Sequence, residues 1–105
     1  MIYVKLHGRI GNHLFEMAAA ATLAAHNNDQ FCAVCHKDYK IAPPDSCYVW
    51  DFIQPYRNNI YRNISILEST PDNLIPFQQK GFKYNEIPYQ KNLLLDGGFQ
   101  SYKYF

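Results

Sequence analysis

A strand-like run, a loop with two glycines and an alanine-rich helix follow one another without interruption near the start of the chain. Residues 2–6 are apolar and β-rich, which predicts a buried strand. Residues 13–26 have the strongest helix propensity in the sequence, and the Asn-Asn-Asp run behind them is a stop signal. A strand, a glycine loop and a helix in this order constrain the chain to an α/β fold with the loop at the end of a strand.

The loop between strand and helix allows two interpretations. Gly8 and Gly11 permit a positive φ or a close approach of the backbone to a ligand. Asn12 is predicted as the N-cap, so that the first free N–H groups of the helix point out of the loop beside Arg9. That geometry suits an anion such as a diphosphate, whereas the alternative is a tight turn whose glycines serve packing alone. The G-x-x-G spacing is not that of a dinucleotide-binding or Walker loop.

The remaining sequence alternates between strand-like and helical runs. A strand over residues 30–35 completes a βαβ unit, which implies parallel pairing and a right-handed crossover. The further predicted elements are a short helix over 47–53 capped by Asp45 or Ser46, an edge strand over 60–67, one short strand within 70–90 and a buried strand over 92–96.

These elements predict one Rossmann-like, three-layer α/β domain over residues 1–105, with a mainly parallel sheet of about four strands. We expect residues 2–6 to lead the sheet, with residues 93–96 near them. The helix is expected to pack on one face through a stripe of small side chains that follows one leucine. The stripe consists of Leu14, Ala18, Ala21 and Ala25.

Composition limits the possible partners. A chain of 105 residues that is 48% hydrophobic and 16% aromatic can build one core. Charged residues make up 18%, fewer than in an average soluble domain, so such a chain either buries much of its surface or packs against something more. A net charge of +1 gives no reason to expect nucleic acid, and no apolar run predicts a membrane span. Three cysteines without a secretion signal favour free thiols in the cytoplasm.

Two groups of residues admit both a functional and a packing interpretation. Cys32, Cys35 and His36 match the haem-attachment pattern C-x-x-C-H, and a redox or zinc pair is a further alternative. Side chains three apart in a strand point to opposite faces, which favours two buried strand cysteines instead. Tyr48 and Trp50 are candidates for stacking on a sugar, but core packing is favoured for both.

The titratable residues do not form a recognisable catalytic set. The four histidines are scattered without metal-ligand spacing, and neither a nucleophile elbow nor a P-loop lysine is present. No metal, cofactor or catalytic residue is therefore predicted. His7 and His13 flank the glycine loop, where each can meet a ligand or serve as an ordinary surface or cap residue.

Two segments resemble the α-1,2-fucosyltransferase family. Residues 8–18 read G-R-I-G-N-H-L-F-E-M-A and are similar to the amino-terminal signature G-[GR]-L-G-N-Q-[ML]-F-Q-Y-A. Residues 97–105 read G-G-F-Q-S-Y-K-Y-F and are similar to the segment G-Y-F-Q-S-E-K-Y-F that bacterial members carry further along. The two segments occur in the order that the family has, one at each end of the chain.

The resemblance implies transfer of fucose from GDP-fucose to a hydroxyl of a glycan acceptor, with inversion and without a metal. It implies a GT-B enzyme of two Rossmann-like halves, of which this chain is the N-terminal one, packed against a C-terminal half. The donor diphosphate is then expected at the loop residues that align with the start of the signature. These are Gly8, Arg9, Gly11, Asn12 and His13.

The sequence also departs from the family pattern. His13 replaces a glutamine, Glu16 and Met17 replace glutamine and tyrosine, and Gly98 and Tyr102 replace tyrosine and glutamate. The family's downstream His-x-Arg-Arg-Gly-Asp motif, which supplies the main donor arginine, has no counterpart among these residues. We therefore expect this chain alone to be inactive. The alternative to a transferase is a non-catalytic remnant or small binding module that keeps the fold.

Overall fold

In a computed structural model, the chain folds into a parallel β-sheet with two helices. The structure describes residues 1–41, 47–79, 81, 84–100 and 102–104. The α/β class is therefore confirmed. The elements, in chain order, are β1 (Ile2–Lys5), α1 (Ile10–His26), β2 (Phe31–Val34), α2 (Val49–Ile53), a 3₁₀ turn at Gln54–Tyr56, β3 (Ile66–Leu67), β4 (Ile75–Gln78), β5 (Leu93–Asp96) and a second 3₁₀ turn at Tyr102–Tyr104.

The described strands form one five-stranded sheet in the order β3-β2-β1-β5-β4, and every pairing in it is parallel. β1 lies at the centre, where Ile2 pairs with Phe31 of β2 on one side and with Leu93 of β5 on the other. The prediction that residues 2–6 lead the sheet beside residues 93–96 is confirmed, with five strands instead of about four.

α1 begins three residues before the predicted position and presents a different face to the sheet. The predicted stripe is wrong, since Leu14 is 48% exposed and Ala25 is also exposed. Side chains one position earlier face inward because hydrogen bonds hold two polar residues of α1 in the interior. The buried residues of α1 are His13, Glu16, Met17, Ala19, Ala20 and Ala24.

The core lies between α1 and one face of the sheet. Ile2 and Val4 of β1 are buried and belong to the same apolar cluster as Ala20 of α1. Alternate side chains of a strand point to opposite faces, and the alternate residues Tyr3 and Lys5 are half-buried. The three-layer arrangement, with helices on both faces, stays a prediction.

The segment between α2 and β3 is mostly turn. The predicted strand over residues 60–67 is reduced to Ile66–Leu67, because hydrogen-bonded turns and a positive φ of 68° at Asn63 interrupt an extended backbone. α2 ends before Pro55, as predicted, and Tyr48 is its N-cap. The predicted caps Asp45 and Ser46 lie outside the described residues.

The cysteines near β2 are buried thiols, which confirms the favoured interpretation of Cys32 and Cys35. Cys35 belongs to the core cluster, and burial raises its pKa to about 11, so the thiol is protonated at neutral pH. Within the described ranges, no group of three or more His, Cys, Asp or Glu side chains could hold a metal ion.

The aromatic residues of α2 and its N-cap lie nearer the surface than predicted. Tyr48 is 40% exposed, so its assignment to the core is wrong. Trp50 packs against the edge of the core, and its ring contacts the Arg57 guanidinium at 5.0 Å and the Lys37 ammonium at 5.6 Å from the ring centre. In the described part of the chain, no helix has the length and apolar character needed to cross a bilayer.

Candidate functional site

The carboxyl ends of β1 and β5 lie side by side at the centre of the sheet, and a polar loop follows each of them. From the carboxyl end of β1 the chain continues through α1 to β2 on one side, whereas β5, on the other side of β1, is the last described strand and is followed by the segment that leads to the 3₁₀ turn at Tyr102–Tyr104. Ligands of open α/β sheets bind outside the carboxyl ends of the strands. The candidate site is therefore the edge formed by residues 6–12 and 96–100.

Gly8 shapes the loop that leaves β1. Its φ is +68°, a conformation that residues with a side chain rarely adopt, and a Cβ at this position would collide with the side-chain amide of Asn12. Gly11 has an ordinary helical backbone, and a Cβ there would meet nothing within 4 Å. The first glycine is thus required by the turn, whereas the second leaves the surface of the first helical turn open.

The helix begins directly behind this turn, with Arg9 as its N-cap. The prediction that Asn12 is the N-cap is wrong, because the turn at Gly8 lets Ile10 and Gly11 enter the helix. The backbone N–H of His13 donates to the Arg9 carbonyl at 3.1 Å, the first hydrogen bond of α1. The N–H groups of Ile10, Gly11 and Asn12 therefore precede the helical hydrogen-bond pattern, at the positive end of the helix dipole.

Arg9 adds a full positive charge to this helix end. Its side chain is exposed, and its guanidinium lies 5.3 Å from the centre of the Phe52 ring in α2. A cation over an aromatic face is attracted by the ring quadrupole. α2 therefore supports the arginine beside the open N–H groups of α1.

The two loops contact each other although 88 positions separate them in the sequence. Gln100 Nε2 donates a hydrogen bond of 2.9 Å to Asn12 Oδ1. Asn12 and Gln100 belong to the two segments that carry the family resemblance, so the fold brings both segments to one edge of the sheet.

A histidine–carboxylate pair lies at the same edge. His7 Nε2 and Asp96 Oδ1 are 2.7 Å apart, and the side chains are 42% and 32% exposed. Sequence reasoning missed this pair because no spacing rule connects residues 89 positions apart. A signal was present: His7 closely follows the predicted first strand and Asp96 ends the predicted last one, and these two strands were expected to be neighbours.

Two buried polar residues lie beneath the loop on the inner face of α1. His13 Nδ1 is 2.6 Å from the Tyr61 hydroxyl, and Glu16 Oε1 accepts a hydrogen bond of 3.0 Å from the backbone N–H of His7. Burial lowers the pKa of His13 to about 4 and raises the pKa of Glu16 to about 9, so both side chains are uncharged at pH 7. Among the described residues, His13 Nε2 and Glu16 Oε2 are buried atoms without a hydrogen-bond partner.

The turn behind β5 is fixed by Gln79. Its Oε1 accepts a hydrogen bond of 2.7 Å from the backbone N–H of Phe99, a fully buried residue with a φ of +50°. A Cβ on Gly97 would lie 2.6 Å from the Cβ of Gln79, which leaves no room for a side chain there. A positive φ at a bulky residue costs free energy, and strain of this kind clusters at ligand-binding sites.

The five predicted site residues divide into two groups. Gly8, Arg9, Gly11 and Asn12 form the surface of the loop and the first turn of α1, whereas the His13 side chain lies fully buried beneath it. The arrangement presents N–H donors and one cation on the outside and uncharged groups on the inside. It suits an anionic ligand at the surface.

Two surface grooves lie elsewhere. One, of about 320 Å³, runs between the second half of α1 and the segment around Tyr84 and Tyr104. The other lies near the amino ends of β1 and β2. Neither is lined by His7, Asp96 or the loop residues, so neither groove coincides with the candidate site.

Comparison of the chain with models of known protein families, with curated proteins and with solved structures gave no match. The function is therefore inferred from the residues and geometry of this edge.

Proposed function

We propose that this chain binds the diphosphate of GDP-fucose at the carboxyl edge of β1 and β5 and serves the transfer of fucose to a sugar hydroxyl, with inversion. The observation that carries the proposal is the contact between Asn12 and Gln100. Two segments that resemble separate parts of one enzyme family meet at the position where α/β folds bind ligands. If the resemblance were accidental, there would be no reason for the two segments to meet at this position.

The chemistry of the edge fits the role. A diphosphate carries negative charge, and the N–H groups at the start of α1, together with Arg9, offer it positive potential. When the bond between fucose and phosphate breaks, that negative charge grows. Groups that contact the diphosphate then stabilise the transition state more than the bound substrate, which is the condition for catalysis.

The proposal extends to the setting of the chain. As the N-terminal half of a GT-B glycosyltransferase, it would pack against a second half that completes the cleft for donor and glycan acceptor. A cytoplasmic location belongs to the same proposal, since all three cysteines are thiols and two of them are buried.

The experiment is fucose transfer from GDP-fucose by the intact protein that carries this chain, comparing Arg9→Ala with Arg62→Ala. Both arginines are exposed, but only Arg9 caps α1. Loss of one group that stabilises developing charge costs a hundredfold or more in rate, so Arg9→Ala should lose about that much while Arg62→Ala stays near wild type. Substitution of an exposed side chain changes stability by only about 0.5 kcal/mol, which thermal melts verify.

Equal activity of the two variants would contradict the proposal and leave the loop as a packing turn. An intact protein without transfer from any sugar nucleotide would favour the binding-module alternative.

A further inference from the structure

We propose that His7, oriented by Asp96, is the base that takes the proton from the acceptor hydroxyl. This inference rests on the proposed function and assigns a catalytic residue to it. The family signature over residues 8–18 includes neither His7 nor Asp96. The assignment comes from the placement of both residues at the same edge of the sheet.

The position of the pair gives a ligand access to it. His7 follows β1 directly before Gly8, and Asp96 is the last residue of β5 directly before the turn of Gly97. The pair thus lies between the two loops of the candidate site. Both side chains are partly exposed, at 42% and 32%, so a ligand at this edge can reach them while the protein fixes their geometry.

The carboxylate sets the orientation of the imidazole. A carboxylate only accepts hydrogen bonds, so the contact of 2.7 Å places a proton on His7 Nε2. In the neutral ring the lone pair is then on Nδ1, and Nδ1 has no hydrogen-bond partner in the described part of the chain. A histidine held in one tautomer by a carboxylate is the usual arrangement of a general base.

The titratable neighbours of His7 come from α1 and β5. The titratable groups that α1 brings near the pair are Glu16 and His13, and both are buried and uncharged at pH 7. Asp96 is the neighbour from β5. His7 is therefore the imidazole of this cluster that a ligand at the surface can contact.

The proton and the electron pairs move together in the transfer step. The acceptor hydroxyl gives its proton to His7 Nδ1 while its oxygen forms the new bond to the anomeric carbon of fucose. The bond from that carbon to the donor phosphate oxygen breaks, and its electron pair leaves with GDP. The proton on His7 then passes to solvent, and Asp96 stabilises the imidazolium between the two events.

The test measures GDP binding by calorimetry and fucose transfer as a function of pH, on the intact protein. The variants are His7→Gln, Asp96→Asn and the control His26→Gln, an exposed histidine in the last turn of α1. Removal of a general base costs about 10²- to 10⁴-fold, so kcat of His7→Gln should fall by at least a hundredfold with GDP affinity unchanged. Asp96→Asn should show a smaller loss, and His26→Gln none.

The pH profile separates a base from a merely structural residue. Wild-type activity should rise across the range in which histidines lose their proton, about pH 5 to 8, and this rise should be absent in His7→Gln. If His7→Gln does not fold, the rise should instead shift in Asp96→Asn, which removes the carboxylate charge and keeps a side chain of equal size.

Each other result overturns the inference in a recognisable way. If kcat and the pH profile of His7→Gln are unchanged, His7 is not the base, and the proposed donor site is unaffected by this result. If the wild type binds GDP but transfers no fucose, His7 and Asp96 do not act in this reaction. Absence of GDP binding by the wild type refutes the proposed function itself, and the base with it.

Discussion

The carboxyl group of Glu16 accepts a hydrogen bond of 3.0 Å from the backbone N–H of His7. This bond joins the buried face of α1 to the residue that follows the central strand. The side chain of His7 contacts Asp96 at the same time, so one residue connects the interior under the loop with the surface of the candidate site. Stability measurements, which need no ligand, can therefore test whether Glu16 and His13 are buried in their uncharged forms.

Glu16→Gln should make stability less dependent on pH. Burial raises the Glu16 pKa from 4.5 to about 9, so the folded state holds a proton that the unfolded state releases above pH 4.5. The free energy of unfolding then falls as pH rises between these values, by about 1.4 kcal/mol per unit and about 3 kcal/mol at pH 7. A glutamine side chain has no such proton to release, so the free energy of unfolding of the variant should increase relative to that of wild type as pH rises toward 9.

Chemical denaturation between about pH 5 and the raised Glu16 pKa of about 9 measures this difference. Parallel stability curves for wild type and Glu16→Gln would show that the carboxyl is not buried in its neutral form.

His13→Gln should make stability less dependent on pH in the acidic range. Burial lowers the His13 pKa from 6.5 to about 4, so the contribution of the neutral ring is present above pH 6.5 and is lost as pH falls toward 4. Wild type should lose about 3 kcal/mol over that interval through this group, and the variant none. Glutamine is also the residue that the family pattern has at this position.

The measurement is again the free energy of unfolding, from about pH 7 down to the lowered His13 pKa of about 4, with His26→Gln as the exposed control. An identical acid dependence in His13→Gln and wild type would contradict the burial of an uncharged ring.

Gly97→Ala and Gly11→Ala should change stability in opposite directions. A Cβ on Gly97 meets the Cβ of Gln79 at 2.6 Å, so alanine forces a shift of the β5 turn that costs about 1–3 kcal/mol. A Cβ on Gly11 meets nothing within 4 Å, and alanine favours the helix by up to about 1 kcal/mol. Urea midpoints of the two variants check the signs, and a tolerated Gly97→Ala would mean that the turn is not packed as described.

The contact between the two loops should appear as a coupling energy. Asn12→Ala and Gln100→Ala each remove one partner of the 2.9 Å hydrogen bond, and a net hydrogen bond contributes about 0.5–1.5 kcal/mol. The double variant should therefore be more stable than the sum of the single effects predicts, by an amount near the lower end of that range because the contact is exposed. Strict additivity would show that the loops do not interact in solution.

The local sequence patterns predicted β1, β2, β5 and most of α1 well, because apolar runs and alanine content act over a few residues. They failed where distant contacts decide the outcome. Leu14 was expected inside and is exposed, since Tyr61 and the backbone of His7 hold His13 and Glu16 inward instead. The adjacency of β1 and β5 was predicted, but the contact between His7 and Asp96 depends on the side-chain geometry at the ends of these strands, which no local pattern encodes.

The most direct test of the donor site is titration of the intact protein that carries this chain with GDP-fucose, followed by amide NMR shifts of residues 1–105. We expect saturable shifts concentrated at Gly8, Arg9, Gly11 and Asn12, with a second group around Gln100, and their loss in Arg9→Ala. Saturable shifts confined to the groove between α1 and Tyr84, or no saturable shifts at all, would contradict the assignment of this edge as the site of the diphosphate.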